Sequence, residues 1–561
     1  MIHPRYLPLA GVLLLASLAL PARADTKPAD AKAADCKSDA AAKADAKAEE
    51  AEPVLSVTAH TVTVDGKVLK YHATAGYIIL KEEEGKPIAP AESPAAVLLQ
   101  EKIGAQEKPD ADKPKDGLKP KAKVFFVAYT LDDVADPAKR PVTYIFNGGP
   151  GSSSMWLHMG SVAPRRASLT EDGEAPPPPY QLVDNDATWL DRTDLVFIDP
   201  VSTGFSRPMP KEDVRQFHGL KEDIASVGDF IRLYTTRNGR WLSPKIVFGE
   251  SYGTTRAAGL SDYLQARYGM YLNGIILVST AMNFQVLNFS PENNDAYVAF
   301  LPTYATSAWY HRKLSPEMQA KGVAEVAQEA RVFAANEYTL ALQKGDAATP
   351  EERQHVADQL SHFTGIAASE FKLLNLRMKD FNFFHQLLRP EGKYLGRLDS
   401  RFSGISYGPG EVRDDIYDPA SEAVGPPLTA AFNDYVRREL KFESDIPYET
   451  EISVDPWNFG DAGNGAPNTA DDLMKAMTRN PYLKVWVTCS YYDLATPFFG
   501  AEEVVASMNL NPSVRSNIRF TYYESGHMLY IHTPSRVKFK ADFLSFLNDA
   551  TSAPVVHAAA R

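Results

Sequence analysis

The sequence has almost no cysteine, no dense run of basic residues and no long apolar segment beyond its N-terminus. Only Cys36 and Cys489 occur in 561 residues, and no cysteine pair has metal-ligand spacing. Because Cys36 lies in a low-complexity stretch, a disulfide between the two is not favoured. The net charge of −12, without a basic stripe, gives no sign of nucleic-acid binding. We therefore expect no metal, no other cofactor and no nucleic-acid partner.

The one apolar run that stands out lies at the N-terminus. It extends from Leu7 to Leu20, is too short to span a bilayer and is followed by the small-x-small pattern Ala22-Arg23-Ala24. This predicts a signal peptide over residues 1–24 and an exported protein, periplasmic or extracellular, without stable membrane insertion after signal removal. Residues 25–52 are mostly Ala, Lys, Asp and Glu, and this composition predicts a linker with little to bury.

From residue 53 the pattern predicts an α/β fold. A hairpin is expected from Val54 to Leu80 with Asp65-Gly66 at its turn, and residues 100–122 are expected to form an exposed loop. Short apolar strands then alternate with helical stretches such as Leu220 to Thr235. This alternation is typical of a mostly parallel sheet with helices on both faces. The predicted strands are 124–129, 141–146, 195–198, 246–248, 274–278, 483–488 and 518–523.

Residues 283–475 break this alternation. Their apolar periodicity predicts amphipathic helices, which we place at 316–344, 350–361, 367–375 and 428–440. The simplest interpretation is a helical cap inserted into one core domain and covering its active site. The core then comprises residues 53–282 and 476–550, and residues 551–561 form a tail.

A serine motif follows the predicted strand 246–248. Gly249-Glu250-Ser251-Tyr252-Gly253 has the G-x-S-x-G pattern between a strand and a helix, which is the context of a nucleophile elbow. Gly404-Ile405-Ser406-Tyr407-Gly408 matches the same pattern. No apolar strand precedes this second copy, and Pro409-Gly410 would block a helix after it. The sequence therefore predicts Ser251 as the nucleophile and places Ser406 in a loop.

A nucleophilic serine needs a base, and the base needs an acid to orient it. Asp493 and His527 follow Ser251 in the chain order of this class, and each lies after its own predicted strand. The carboxyl ends of strands are where open α/β sheets place their sites. Either residue alone would be an ordinary turn or core residue, but the three together predict a triad. Asn147-Gly148-Gly149 follows another strand and is either an oxyanion-binding turn or a plain tight turn.

Together these motifs resemble the serine carboxypeptidase family over about residues 123–540. The resemblance implies an α/β-hydrolase fold with a helical cap inserted before the last strands. The matching blocks are Asn147-Gly148-Gly149-Pro150-Gly151, Trp189 through Asp199 to Gly204-Phe205-Ser206, Gly249 to Gly253, and Gly526-His527-Met528.

The resemblance also implies roles for individual residues. Glu250 would have to be protonated in order to donate a hydrogen bond to a substrate carboxylate, as in an acid-active protease. The roles carried over are a triad of Ser251, Asp493 and His527, an oxyanion hole from the N–H groups of Gly149 and Tyr252, and a grip on the substrate's C-terminal carboxylate by Asn147 and Glu250.

The sequence departs from the family at several of these positions. Ser152 replaces a usual cysteine, Ser161 stands where a second acid is usual, Ile145-Phe146 replaces Trp-Leu, and the family's disulfides are absent. Arg165 or Arg166 could supply a compensating cation, and the alternative is that both are surface charges.

Three hypotheses about function remain open. The first is a serine carboxypeptidase that acts on peptides or proteins. The second is an esterase or acyltransferase on the same scaffold. The third is a non-catalytic binding protein, which the intact set of Ser251, Asp493 and His527 disfavours. The sequence does not determine an oligomeric state.

Overall fold

The computed structural model describes residues 55–83, 118–406, 408, 417–462 and 465–552. All of them belong to one compact unit, Pro53–Arg561. The predicted signal peptide, the linker at 25–52, Cys36 and nearly all of the tail lie outside the described residues. Among the residues that are described, no helix is long and apolar enough to cross a membrane.

A ten-stranded sheet forms the centre of the molecule, and two small two-stranded sheets accompany it. The strands are β1 (Ser56–Val64), β2 (Lys67–Glu83), β3 (Leu118–Leu131), β4 (Val142–Phe146), β5 (Arg165–Ala167), β6 (Leu182–Asp184), β7 (Asp194–Ile198), β8 (Arg207–Pro208), β9 (Lys245–Glu250), β10 (Gly274–Val278), β11 (Lys393–Leu395), β12 (Ser403–Ile405), β13 (Lys484–Ser490) and β14 (Ile518–Tyr523).

The order of the large sheet is β1-β2-β3-β7-β4-β9-β10-β13-β14, and β8 pairs with β3. Strands β1, β2, β3 and β7 pair antiparallel, whereas every pair from β7 to β14 is parallel. Parallel neighbours need crossover connections, which the helices between these strands supply. The predicted hairpin is confirmed, since β1 and β2 are joined by Asp65 and Gly66, both with positive φ.

Helices cover the sheet and dominate the segment between β10 and β13. They are α1 (Met155–Leu157), α2 (Leu220–Arg237), α3 (Tyr252–Tyr268), α4 (Asp295–Tyr310), α5 (Pro316–Gln319), α6 (Val323–Phe333), α7 (Thr339–Lys344), α8 (Pro350–Thr364), α9 (Ala368–Leu373), α10 (Asp380–Gln386), α11 (Pro419–Arg438), α12 (Ala470–Arg479), α13 (Phe498–Ser507), α14 (Pro512–Arg515) and α15 (Thr533–Thr551).

Two buried apolar clusters occupy the two faces of the sheet. Strand β4 shows how the sequence divides between them, because successive side chains of a strand point to opposite faces. Tyr144 and Phe146 belong to one cluster and Ile145 belongs to the other. A strand buried on both faces is mostly apolar, which is why β4, β7 and β10 are short and predominantly apolar.

The predicted loop over residues 100–122 is wrong at its C-terminal end. Strand β3 begins at Leu118 and pairs with β2 from its first residue. The charges that suggested a loop are accommodated at the strand surface, where the Lys121 ammonium lies 2.6 Å from Glu212 and 3.1 Å from Glu82. The sequence alone therefore does not distinguish a lysine that is ion-paired on a strand from a lysine in an exposed loop.

One further prediction needs correction, and one predicted boundary falls inside a helix. Residues 316–344 form α5, α6 and α7 rather than one helix, because Gly322 begins a new helix and Ala334–Tyr338 form a π-helical turn. The predicted end of the cap at 475 falls inside α12. That helix packs on α3 of the core, where the Gln265 side chain donates to the Ala476 carbonyl at 3.5 Å.

The architecture is the predicted α/β-hydrolase fold. Strand β9 ends at Glu250, directly before Ser251, and α3 starts directly after it at Tyr252. Strands β13 and β14 are further along the same parallel sheet, so their carboxyl ends lie at the same edge as that of β9. The fold thereby gathers the loops after β4, β9, β13 and β14 at one edge.

Candidate active site

The turn after β9 holds Ser251 in a strained conformation. Its φ of 59° and ψ of −130° are rare for a residue with a side chain and mark a sharp turn. Gly249 and Gly253 permit the turn: a Cβ on Gly249 would lie 2.1 Å from the Gly253 carbonyl oxygen. The Ser251 N–H donates to the Val278 carbonyl at 3.0 Å, which ties the turn to β10. The hydroxyl is thus carried at the sheet edge by rigid elements.

Asp493 and His527 form a buried hydrogen-bonded pair. The His527 Nδ1 lies 2.8 Å from the Asp493 Oδ2, and this carboxylate is fully buried. Three further donors hold the carboxylate: the N–H groups of Ala495 and Thr496 and the Thr496 hydroxyl, at 2.6–2.9 Å. With Nδ1–H facing the carboxylate, the imidazole Nε2 remains available as a proton acceptor.

Electrostatics within this pair favour its charged form. Burial by itself would raise the pKa of Asp493, but the charge of His527 and the hydrogen bonds outweigh it, so that pKa lies below its usual range. Burial by itself would lower the pKa of His527, yet Asp493 and, more weakly, Glu250 raise that pKa above its usual value. The environment therefore stabilises an imidazolium, the form that a general base reaches when it accepts a proton.

One cleft brings the predicted site residues together. Ser251 and His527 line it, and Asp493 lies behind His527. The cleft wall combines core residues with residues of the segment between β10 and β13. That segment contributes Phe284, Leu287, Arg397, Leu398, Ser421 and Glu451.

The glycine-rich turn after β4 packs directly on the start of α3. A Cβ on Gly148 would lie 2.5 Å from the Tyr252 nitrogen, so only glycine allows this approach. Gly149 follows with φ of 99°, and both Gly149 and Tyr252 line the cleft. Tyr252 is the first residue of its helix, where N–H groups lack intrahelical partners. The two predicted oxyanion donors thus lie at one place in the cleft.

Asn147 and Glu250 form a second buried pair beside Ser251. The Asn147 Nδ2 donates to the Glu250 Oε1 at 2.9 Å, and the Leu157 N–H donates to the Asn147 Oδ1 at 3.0 Å. The Glu250 Oε2 is buried, and the buried Tyr530 hydroxyl faces the same carboxyl without a well-aligned hydrogen bond to it. Burial raises the pKa of Glu250 to about 7, although the charge of His527 opposes the rise. Below that pH the carboxyl is protonated and can donate.

Asp199, which lies within the second matching block, supports the glycine-rich turn. Its buried Oδ1 accepts from the Ser154 N–H at 2.9 Å and from the Ser154 hydroxyl at 2.7 Å. Gly204 is required nearby, because a Cβ there would lie 1.8 Å from the Asp199 Oδ2. The block therefore positions the turn that carries Gly149 rather than lining the cleft itself.

The segment Arg397–Arg401 was not singled out by the sequence, yet it contacts both loops of the Asp–His pair; we call it the strap. The Leu398 carbonyl accepts from the His527 N–H at 2.6 Å, and the Arg397 carbonyl accepts from the Leu494 N–H at 3.1 Å. The Asp399 carboxylate accepts from the Gly526 N–H at 3.0 Å and pairs with Arg401 at 2.7 Å. No local signal could have revealed it, because its partners lie about 100 residues further along the chain.

A model of the family described as serine carboxypeptidase matches residues 117–529 of the chain, which is more than half of its length. The chain belongs to the serine carboxypeptidase family. The four motif blocks on which the resemblance rested all fall within the matched residues.

The individual relatives of this family member are distant. The pheromone-processing carboxypeptidase KEX1 of Saccharomyces cerevisiae is 34% identical over 135 residues, which are 23% of this chain and only 17% of that protein. The crystal structure of a prohormone-processing carboxypeptidase from the same yeast covers 85% of this chain and 91% of its own, at 16% identity and a TM-score of 0.47. A proline iminopeptidase from Mycobacterium smegmatis covers 77% and 96%, at 13% identity and a TM-score of 0.34.

This family member departs from the usual pattern in ways that the structure clarifies. Ser161, at the usual position of the second acid, is buried in a π-helical turn and does not line the cleft. Arg165 and Arg166 do not line it either, and Arg165 pairs with Glu439 at 2.8 Å and with Asp184. Neither arginine therefore supplies the compensating cation that was considered as one alternative. Arg397 lines the wall instead.

The remaining sequence predictions concern Ser406 and Cys489. Ser406 does not line the cleft, and it lies outside any helix or strand as predicted, although the short strand β12 ends one residue before it. Cys489 is buried and free.

Proposed function

We propose that this protein is an exported serine carboxypeptidase that removes C-terminal residues from peptides through an acyl-enzyme. The observation that carries the exopeptidase proposal is the buried Asn147–Glu250 pair next to Ser251. A protonated Glu250 carboxyl, favoured by its raised pKa, can donate a hydrogen bond to a substrate carboxylate, whereas its anion would repel that carboxylate.

In the proposed mechanism His527 Nε2 takes the proton of the Ser251 hydroxyl while the oxygen attacks the scissile carbonyl carbon. Asp493 holds the ring through Nδ1 and stabilises the imidazolium. The N–H groups of Gly149 and Tyr252 receive the oxyanion. His527 then gives its proton to the leaving amine, and the C-terminal residue departs. Water repeats the sequence on the acyl-enzyme, which releases the shortened peptide and restores the Ser251 hydroxyl.

Mass spectrometry of incubated peptides tests this proposal. We expect ladders of products shortened from the C-terminus with wild type and none with Ser251→Ala. Products cut internally would favour an endopeptidase. Turnover of ester substrates without peptide cleavage would favour the esterase alternative. Failure of wild type to react with a fluorophosphonate probe would favour a non-catalytic binding protein.

A further inference from the structure

Arg397 stands at the junction of two cavities. It lines the cleft that contains Ser251 and also an adjoining groove with aromatic walls that include Phe381 and Phe384. The two cavities share Leu398, Ser421 and Glu451 as well, so they are continuous along this side of the molecule. A peptide chain that leaves the cleft towards the groove would pass Arg397.

Hydrogen bonds hold the backbone of Arg397 in place, whereas its side chain is partly exposed to solvent. Its carbonyl accepts from the Leu494 N–H, and the next carbonyl accepts from the His527 N–H. The Leu398 N–H donates to the Asp418 Oδ2 at 3.0 Å, which anchors the segment on its other side. The base of the arginine is thereby held in register with the Asp–His pair, while half of its side chain is exposed.

The guanidinium has spare hydrogen-bond donors. Among the described residues its one carboxylate within 4.0 Å is that of Asp380, 3.9 Å from Nε. The oxygens of Asp418 accept from the N–H groups of Leu398 and Ala420. Glu451 is the other charged residue shared by both cavities; it is exposed and makes no ion pair with Arg397 within that distance. A planar guanidinium with unused N–H groups is suited to bidentate binding of a carboxylate.

We propose that Arg397 is a specificity-determining residue that binds a carboxylate of the peptide substrate. This inference rests on the proposed function. The carboxylate has two possible sources, the C-terminal group of the peptide or an Asp or Glu side chain near the scissile bond, and the same donor geometry serves both. Unlike Glu250, the guanidinium stays charged from pH 4 to pH 8, so this recognition does not fade in that range.

The test measures peptide binding to protein carrying Ser251→Ala, so that it does not depend on turnover. Calorimetry measures the affinities of matched peptides at pH 5 and pH 8. One pair is a peptide and its C-terminal amide, and the other pairs carry Glu or Gln at one of the last four positions of the peptide. We expect Arg397→Gln to weaken binding of at least one carboxylate form by roughly 10- to 100-fold at both pH values, and to leave the matched neutral peptide unchanged. A loss that follows the free C-terminus assigns the first source, and a loss that follows Glu assigns the second.

Two control variants sharpen the result. Arg389→Gln removes a positive charge from an exposed position outside both cavities and should change no affinity. Arg397→Lys keeps the positive charge but lacks the planar set of N–H donors of a guanidinium, so it should lose part of the affinity. This variant provides the test if the glutamine variant does not fold. Equal effects of Arg397→Gln on charged and neutral peptides would overturn the inference. Absence of C-terminal ladders from wild type would instead overturn the proposed function. The binding comparison does not depend on turnover, so its result can be interpreted separately.

Discussion

Single residues carry the chemistry proposed for this protein, and Ser251 is the sharpest test among them. Its strained turn presents the hydroxyl in the cleft, whereas Ser406 in the same sequence pattern lies outside it. We expect Ser251→Ala to lower kcat by about 10⁴-fold or more and Ser406→Ala to leave it near wild type. Steady-state kinetics on a peptide substrate measures both. Loss of activity in the Ser406 variant alone would overturn the assignment of the nucleophile.

The Asp–His pair gives a second expectation at this scale. His527→Ala removes the proton acceptor and should cost about as much as loss of the serine. Asp493→Asn keeps the shape but disturbs the tautomer of the imidazole, so we expect a decrease in kcat on the order of 10³–10⁴ with the fold retained. Circular dichroism checks the fold of each variant. A fully active Asp493→Asn protein would contradict the proposed role.

Glu250 predicts a pH dependence. Because burial raises its pKa to about 7, the carboxyl is protonated and able to donate below that pH, and this ability is lost as the pH rises through 7. Wild type should therefore prefer a free-acid peptide over its amide at pH 5 and lose much of that preference by pH 8. In Glu250→Gln the preference should depend far less on pH, since an amide donates at any pH.

The same ionisation affects stability. A raised carboxyl pKa in the folded protein means that the protonated form stabilises the fold below the unfolded value of 4.5, and that this contribution is lost as the pH rises through about 7. Thermal denaturation of Glu250→Gln should accordingly show a gain relative to wild type at pH 8 that is smaller at pH 5. Parallel curves for the two proteins would contradict the buried, protonated carboxyl.

At the scale of elements, the strap connects the inserted segment to the loops after β13 and β14. Asp399 is 2% exposed, and it joins Arg401 to the Gly526 N–H directly before His527. A Cβ on Gly526 would lie 2.3 Å from that of Asp399, so the contact is also sterically tight. Asp399 therefore acts as a positioning residue, which holds the base without lining the cleft.

Asp399→Asn tests this role while preserving the shape of the side chain. We expect kcat to fall by roughly tenfold or more with KM close to wild type, because displacement of the base impairs the chemical step rather than binding. Asp399→Ala would also leave Arg401 buried without its partner and should destabilise the protein by about 3–5 kcal/mol. An unchanged kcat in a folded asparagine variant would show that the strap has a purely structural role.

The whole molecule adds an expectation about export. The short apolar run and the Ala22-Arg23-Ala24 pattern predict cleavage after Ala24, so the mature chain should begin at Asp25. N-terminal sequencing of protein recovered from the periplasm or the medium measures this. A mature protein that retains Met1 would contradict the prediction.

Much of the fold could be predicted from local sequence patterns. The strands of the parallel sheet were predictable because strands covered on both faces are mostly apolar, as β4, β7 and β10 are. The elbow was predictable because two glycines around Ser251 meet a steric need within five residues. The local pattern wrongly predicted a loop at the start of β3. The charge of Lys121 is paired there with Glu82 and Glu212, which are distant in sequence.

The sequence by itself determined the parallel sheet and the turn at Ser251, because these depend on strand periodicity and on short-range sterics. Its motif blocks indicated the family, and with it the chain order of Ser251, Asp493 and His527. Only the tertiary structure decided which charges line the cleft. It placed Arg165 in ion pairs elsewhere and brought Arg397 to the wall. An inserted segment reaches the triad loops through contacts that span about 100 residues, and such contacts leave no periodic signal in the chain. Their energies are settled by packing and pairing in three dimensions, so the proposed specificity became visible only in the folded protein.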